Sequence, residues 1–250
     1  MINNSYINIT KEDNGLVYIE MNHPPVNPLS LTLVDEISRG IDSVENAAKV
    51  IVFQGSGKGF CAGADLKERA AMTNEETIDT VGRYRVLFEK IENISCPTIA
   101  RIHGFALGGG LELSLSCDFR FSSKDALIGF PEVSIGIIPG AGGTQRMLRL
   151  VGPSKAKEWI FSAEKYDAEK ALRDNVVDFV FENEAIMDKN INEFSKKILA
   201  NSSIAVGAAK KAINSTLNKT LNDGLQFERD EYLKTLSDPV RIETLKKFKK

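Results

Sequence analysis

Three times the chain runs from a short strand-like segment into a glycine-dense loop and then into a helix-like stretch. Val50-Ile-Val-Phe53 leads into Gly55-Ser-Gly-Lys-Gly-Phe-Cys-Ala-Gly63. Thr98-Ile-Ala-Arg-Ile-His103 leads into Gly104-Phe-Ala-Leu-Gly-Gly-Gly110. Asp118-Phe-Arg-Phe121 and Ala126-Leu-Ile-Gly-Phe130 lead to Pro139-Gly-Ala-Gly-Gly143 and a segment over 144–150. A wholly apolar run such as Val50–Phe53 is the pattern of a strand buried on both faces. Strand, glycine loop and helix in repetition argue for stacked β/α turns of an α/β fold rather than a sandwich. The repetition is topological, without residue-level similarity between the turns.

The rest of the pattern fits around this frame. Tyr6–Thr10 and Leu16–Met21 read as a hairpin across Asp13-Asn14-Gly15. Val34, Ile37, Ile41 and Val44 fall at helical spacing, as do Ile78, Val81, Tyr84, Phe88 and Ile91 in a helix that must end before Pro97. From about Asn183 the pattern is helical only, up to the basic run Lys246-Lys-Phe-Lys-Lys250, whose lysines suit a solvated helix end. The expected division is a core over residues 1–190 and a helical C-terminal region over residues 191–250, which packs on its own core or on another subunit.

Composition excludes more than it proposes. The 250 residues carry 32 Lys+Arg against 34 Asp+Glu, a formal net charge of -2, which removes the electrostatic case for a nucleic-acid binder. Three cysteines, Cys61, Cys96 and Cys117, and two histidines match neither a disulfide framework nor a zinc-site spacing. The first eleven residues are polar, with no apolar run for an export signal or membrane span. The expectation is a soluble cytoplasmic protein without a metal.

The glycine loops and two acids are the candidates for chemistry. Backbone N–H groups in Gly108-Gly-Gly110 and Ala62-Gly63-Ala64 could converge on one oxygen as an oxyanion hole; equally, the glycines could serve only tight turns, and residue chemistry alone favours the turns. Gly55-Ser-Gly-Lys-Gly59 lacks the ending of a phosphate loop, and no dinucleotide fingerprint or G-x-S-x-G elbow occurs. Glu112 lies in the otherwise apolar Leu111-Glu-Leu-Ser-Leu-Ser-Cys117, and Glu132 in Gly129-Phe-Pro-Glu-Val133. Buried carboxyls beside glycine loops suit acid–base work, but a buried ion pair of Glu112 with Arg101 or Arg146 is an equal alternative. Asp65 and Lys67 fit a capping acid and a surface base, or contacts to a polar ligand. His103 and the cysteines read as structural.

Gly59-Phe-Cys-Ala-Gly-Ala-Asp-Leu-Lys-Glu68, Gly104-Phe-Ala-Leu-Gly-Gly-Gly-Leu-Glu-Leu113 and the stretch Phe130-Pro-Glu-Val-Ser-Ile-Gly-Ile-Ile-Pro-Gly-Ala-Gly-Gly-Thr-Gln-Arg146 together resemble the crotonase (enoyl-CoA hydratase/isomerase) superfamily. Pro24-Pro-Val-Asn-Pro-Leu29 is similar to its first CoA-side motif. The resemblance implies a spiral of repeated ββα turns, a C-terminal helical region that builds a homotrimer or a dimer of trimers, and an acyl-CoA thioester as substrate with no further cofactor. It implies that the N–H groups of Ala64 and Gly109 bind the thioester oxygen, and that Ala62, Asp65, Leu66 and Lys67 lie along CoA. Glu112 and Glu132 match the two glutamates of hydratases, which hold one water and add it to a 2-enoyl-CoA; Glu132 then exchanges the α-proton and Glu112 activates the water. A Δ3,Δ2-isomerase or other enolate-forming enzyme is the alternative, and a non-catalytic acyl-CoA binder a third.

Two positions depart from the family pattern. The first motif reads His23-Pro-Pro-Val-Asn27, without the basic residue that meets CoA phosphates in many relatives. Phe248 matches a Phe that reaches a neighbour's adenine, but the sequence reaches only Lys249-Lys250 beyond it. The expected acyl wall is the helical stretch over 70–83, with Phe161 and Trp159 as further candidates, the latter more suited to a core.

Overall fold

A computed structural model describes residues 6–216 and 219–248. Strands β1 (Ile7–Lys11) and β2 (Leu16–Met21) form the expected antiparallel hairpin. β3 (Val50–Gly55), β4 (Thr98–Ile102), β6 (Phe119–Ser123) and β9 (Phe179–Phe181) then add in parallel, giving a six-stranded sheet in the order β1-β2-β3-β4-β6-β9. A second, three-stranded sheet contains β5 (Phe105–Leu107), β7 (Leu127–Gly129) and β8 (Lys165–Asp167), in the order β5-β7-β8.

Each turn of the chain places one strand in the large sheet and the next in the small one, then returns through a helix. β4 feeds β5 and helix α4 (Gly109–Leu115); β6 feeds β7, a 3-10 turn over Glu132–Ile135 and helix α5 (Gly143–Phe161). The earlier turn reduces its second strand to single bridges, Cys61 to Ala106 and Leu29 to Ala64. These are the stacked β/α turns read from the glycine-loop repetition, in the spiral of ββα turns that the family resemblance implies. β5, β8 and β9 have three residues each, below the length at which alternation is legible; β7, as short, is betrayed by the apolar run around it.

Burial explains the helices. α1 (Leu31–Val44) starts on the Ser30 cap and buries Leu33, Val34, Ile37, Ile41 and Val44. The segment after the first glycine loop splits into α2 (Leu66–Ala70) and α3 (Asn74–Glu92), because Thr73 and Glu76 form a reciprocal capping box. α3 buries Thr80, Tyr84, Leu87, Phe88 and Ile91, which turns Ile78 outward; it is 73% exposed, against the inward placement its spacing suggests. The stretch over 70–83 expected as acyl wall is thus two helices with a break between them, and Val81 within it lines the cavity described below. α5 breaks at Gly152 (φ 77°), and Pro153 starts its second half.

After α6 (Ala168–Arg173), helix α7 (Glu184–Leu199) covers the second face of the large sheet, where Met187 and Ile191 pack with Leu16, Val50, Val52, Ile99 and Phe121. The boundary drawn at 190/191 thus falls inside a helix that belongs to the core. α8 (Ser203–Thr216) is pinned to the core by Lys210, whose Nζ lies 2.8 Å from Oδ2 of Asp118 and 3.0 Å from the Cys96 carbonyl. α9 (Leu221–Thr235) and α10 (Pro239–Lys246) complete the chain. Among the described residues, no helix is long and apolar enough to cross a membrane.

Candidate active site

The two acids sit beyond the carboxyl ends of neighbouring strands of the small sheet, where parallel strands leave loops free for ligands. Gly108 follows β5 and Phe130 follows β7, and the Gly108 N–H donates to the Gly129 carbonyl at 2.9 Å, locking the two loops together. Gly108 has φ +52°, and a Cβ there would stand 2.8 Å from Oε1 of Glu132. Only a glycine lets the backbone pass so close to that carboxyl.

Glu112 and Glu132 face one cavity of about 180 Å³, also lined by Ala62, Gly63, Ala64, Leu66, Gly108 and Gly109, with Val81, Tyr84, Ile135, Ile137 and Ile138 forming apolar wall. Glu112 is buried, and its Oε1 accepts N–H bonds from Ala141 at 2.8 Å and Gly143 at 2.7 Å. The buried ion pair is not made: Arg146 pairs with Glu92, and Arg101 with Glu184 and Asp188. Burial raises the Glu112 carboxyl's pKa, opposed by the two N–H donors and by the charges of Arg146 and Arg85.

Glu132 is held differently. It opens the 3-10 turn after Pro131, is 9% exposed, and its Oε2 has no hydrogen-bond partner. Burial pushes its pKa up to about 7, and the charge of Glu112 adds to the rise. Two carboxyls with different support therefore share one cavity: Glu112 has two N–H donors that favour its charged form against burial, and Glu132, with no partner on Oε2, keeps a proton to near neutral pH.

The backbone on the opposite wall is equally constrained. Gly63 (φ +92°) brings Ala64 beside Gly109, and a Cβ on Gly63 would be 3.1 Å from the Gly109 nitrogen. Among the described residues, neither the Ala64 nor the Gly109 N–H donates to a protein acceptor. The approach of the two loops is set by Gly110, where a Cβ would lie 2.3 Å from the Cys61 carbonyl oxygen. Gly110→Ala should therefore destabilise the fold by about 1–3 kcal/mol through overpacking, read as a lowered midpoint in urea; an unchanged midpoint would show the loops free to move apart.

The other expected positions separate. Asp65 caps α2, its Oδ1 accepting from the N–H groups of Lys67 and Glu68. Leu66 is exposed and lines the cavity, whereas Lys67 is exposed and is not among its lining residues. Phe248 is 78% exposed and outside this cavity, and Lys249 and Lys250 lie outside the described residues. Trp159 is a core residue, its Nε1 donating to Asp174 at 2.9 Å, and Phe161 is 71% exposed; neither lines the cavity. All three cysteines are buried, with thiols pushed up to about 11 or 12 by desolvation. His103 sets its ring between the Gly57 carbonyl and Arg101.

Two residues of the site were not singled out from sequence. Asn27, with φ 51° and fully buried, donates to the Ser56, Gly59 and Phe60 carbonyls and so fastens the first motif under the glycine loop. Among the described residues, Arg69 is the one cation on the cavity wall.

Residues 11–250 match the family model described as enoyl-CoA hydratase/isomerase. The chain belongs to the enoyl-CoA hydratase/isomerase family. It is 38% identical to a probable mitochondrial enoyl-CoA hydratase 2 of Arabidopsis thaliana, over 96% of this chain and 81% of that one. It is also 38% identical to a human mitochondrial methylglutaconyl-CoA hydratase, over 96% of this chain and 73% of that one. The fold superimposes on the crystal structure of an enoyl-CoA hydratase from Bacillus anthracis with a TM-score of 0.93, at 38% identity, covering 98% and 96% of the two chains. The superposition covers both the spiral core and the C-terminal helices.

Proposed function

We propose that the protein adds water across the double bond of a 2-trans-enoyl-CoA, giving a 3-hydroxyacyl-CoA. The observation that carries this is the pair of differently supported carboxyls facing one cavity beside two unengaged N–H groups. The Ala64 and Gly109 N–H groups would receive the thioester oxygen, drawing electrons from the β-carbon and stabilising the enolate-like transition state. Glu112, as carboxylate, takes a proton from the bound water as its oxygen bonds to the β-carbon. Glu132, as acid, gives its proton to the α-carbon. The pair starts and ends with one proton, so passing it back resets the site.

In this reading acyl-CoA is the substrate and no cofactor or metal takes part. Ala62, Asp65, Leu66 and Lys67 would border the CoA path, and the exposed Lys67 is the residue we propose to meet a phosphate. The exposed apolar residues of α9 and α10, among them Leu221, Leu225, Val240 and Leu245, support a homotrimer or dimer of trimers in which Phe248 reaches a neighbour. We place the enzyme in the cytoplasm, where reducing conditions suit three free buried cysteines.

Purified protein given crotonyl-CoA should remove the enoyl-thioester absorbance; no loss with this or longer 2-enoyl-CoAs would end the hydratase reading. Its kcat/KM should follow the proton on Glu132. The group is an acid with a raised pKa of about 7, so the active form persists below that pH and is lost above it. A profile flat from about pH 7 to 9 would remove Glu132 as the proton donor.

A further inference from the structure

A second cavity, of about 630 Å³, lies behind the loop that serves Glu112. Ile138 and Gly140 belong to the walls of both cavities, so the loop over 138–143 is the partition between them. On the catalytic side this partition gives the Ala141 and Gly143 N–H groups to Oε1 of Glu112. On the far side two arginines take up its carbonyls. Arg146 Nη1 donates to the Ala141 carbonyl at 3.2 Å, and Arg85 Nη2 to the Gly140 carbonyl at 3.2 Å. Hydrogen bonds in such a chain polarise one another, so a guanidinium on the loop's carbonyls strengthens the N–H donors on its other side.

Arg146 is the better placed of the two. Its side chain is 14% exposed, and Nε and Nη2 both donate to Oε2 of Glu92, at 3.2 and 2.7 Å, while Nη1 turns to the loop. Arg85 is exposed, and water weakens its hold. Gly142 has φ +111°, and a Cβ there would stand 2.3 Å from Arg146 Nη1, so the guanidinium lies directly against the loop backbone. Arg146 is also the fourth residue of α5, where a cation opposes the helix macrodipole. The helix gains nothing from a charge of that sign there; the loop does.

We propose that Arg146 is a positioning residue for hydration: from behind the partition it keeps both N–H donors seated on Glu112 and holds that carboxyl in its ionised form. This role rests on the hydratase reading above. Arg146 does not line the catalytic cavity, so it acts through the loop and through its charge rather than on the substrate. The charged groups around Glu112 are Glu132 and Arg69 in the catalytic cavity, and Arg146 and Arg85 behind the loop; Glu89, Glu92 and Arg149 line the second cavity with them. Burial raises the Glu112 pKa, and after the two N–H donors the charges of Arg146 and Arg85 oppose that rise. Glu92 partly cancels Arg146, so the two members of the ion pair pull Glu112 in opposite directions.

Profiles of kcat and KM for crotonyl-CoA against pH, in the intact protein, test this role. The acid limb reports loss of the Glu112 carboxylate, and the alkaline limb loss of the Glu132 proton. Arg146→Met is expected to lower kcat by about 10–100-fold, the scale of a small misplacement at the site, with KM within about twofold. Its acid limb moves to higher pH by about one unit, because a nearby positive charge is gone. Arg146→Lys keeps the charge but not the fork, so kcat falls less and the limb stays near its wild-type place. Glu92→Gln removes the charge that opposes Arg146 and moves the limb the other way, to lower pH. A merely structural ion pair would lower activity in all three variants without moving the limb. An unmoved limb in Arg146→Met, or one that fails to move down in Glu92→Gln, would overturn the role; if Arg146→Met does not fold, Glu92→Gln and Arg146→Lys decide it by the same criterion. Carbon-13 NMR of the Glu112 carboxyl, assigned with Glu112→Gln, reads the same order of titrations without turnover. That order in a protein that does not hydrate crotonyl-CoA would keep the Arg146 support of Glu112 and overturn the hydratase reading instead.

Discussion

Glu112→Gln is expected to lower kcat for hydration of crotonyl-CoA roughly a thousandfold, the scale of a lost acid–base group. The substitution is clean because both N–H donors, from Ala141 and Gly143, fall on Oε1. A glutamine keeps one carbonyl oxygen there and accepts both, so the loop over 139–143 stays in place. What changes is the second atom, where an amide cannot take a proton from water. Proton exchange at the α-carbon depends on Glu132 in the proposed mechanism, so shifting a 3-enoyl-CoA to its 2-enoyl isomer should survive in this variant. Hydration that survived along with it would assign Glu112 a packing role only.

Glu132→Gln should remove both reactions by a similar factor, because the α-carbon loses its proton donor. It should also stabilise the protein, which a purely structural glutamate would not do. The carboxyl's pKa rises to about 7 in the fold from an ordinary value of 4.5. At about 1.36 kcal/mol per unit, the ionised group costs the native state about 3 kcal/mol. The sign follows from its being a raised acid: the cost is absent below the unfolded value, grows as pH rises, and is complete above about 7. Thermal unfolding of the variant and the wild type should coincide near pH 4 and separate by several degrees near pH 8. A variant that unfolds earlier at pH 8 would mean the carboxylate is held by partners rather than exposed to a desolvating cavity. Such a cost at the site is the trade of stability for activity common in enzymes.

The glycine loops, the buried strands and both glutamates were legible in sequence for a common reason. Each breaks local composition: glycines cluster where strands end, and acids interrupt apolar runs. What supports the acids was not legible. Sequence offers arginines as partners for Glu112, whereas the bonds come from the backbone of Ala141 and Gly143, which carry no side-chain signal. Arg69 escaped notice because it reads as a charge on a short surface helix; only the return of α3, bringing Val81 and Tyr84, closes a wall around it. Ile78 misled because five positions at near-helical spacing do not fix the phase of a nineteen-residue helix whose buried face includes a threonine. The strands β5, β8 and β9 are too short for alternation, and are held by neighbours distant in sequence.

Addition of water to an enoyl thioester in this cavity is the step on which every proposed role depends. Mass spectrometry of crotonyl-CoA incubated with the purified protein in heavy-oxygen water tests it most directly. The expected product is a 3-hydroxybutyryl-CoA carrying the heavy oxygen on its β-carbon. Unlabelled crotonyl-CoA recovered intact, or converted only to an isomer of the same mass, would contradict it.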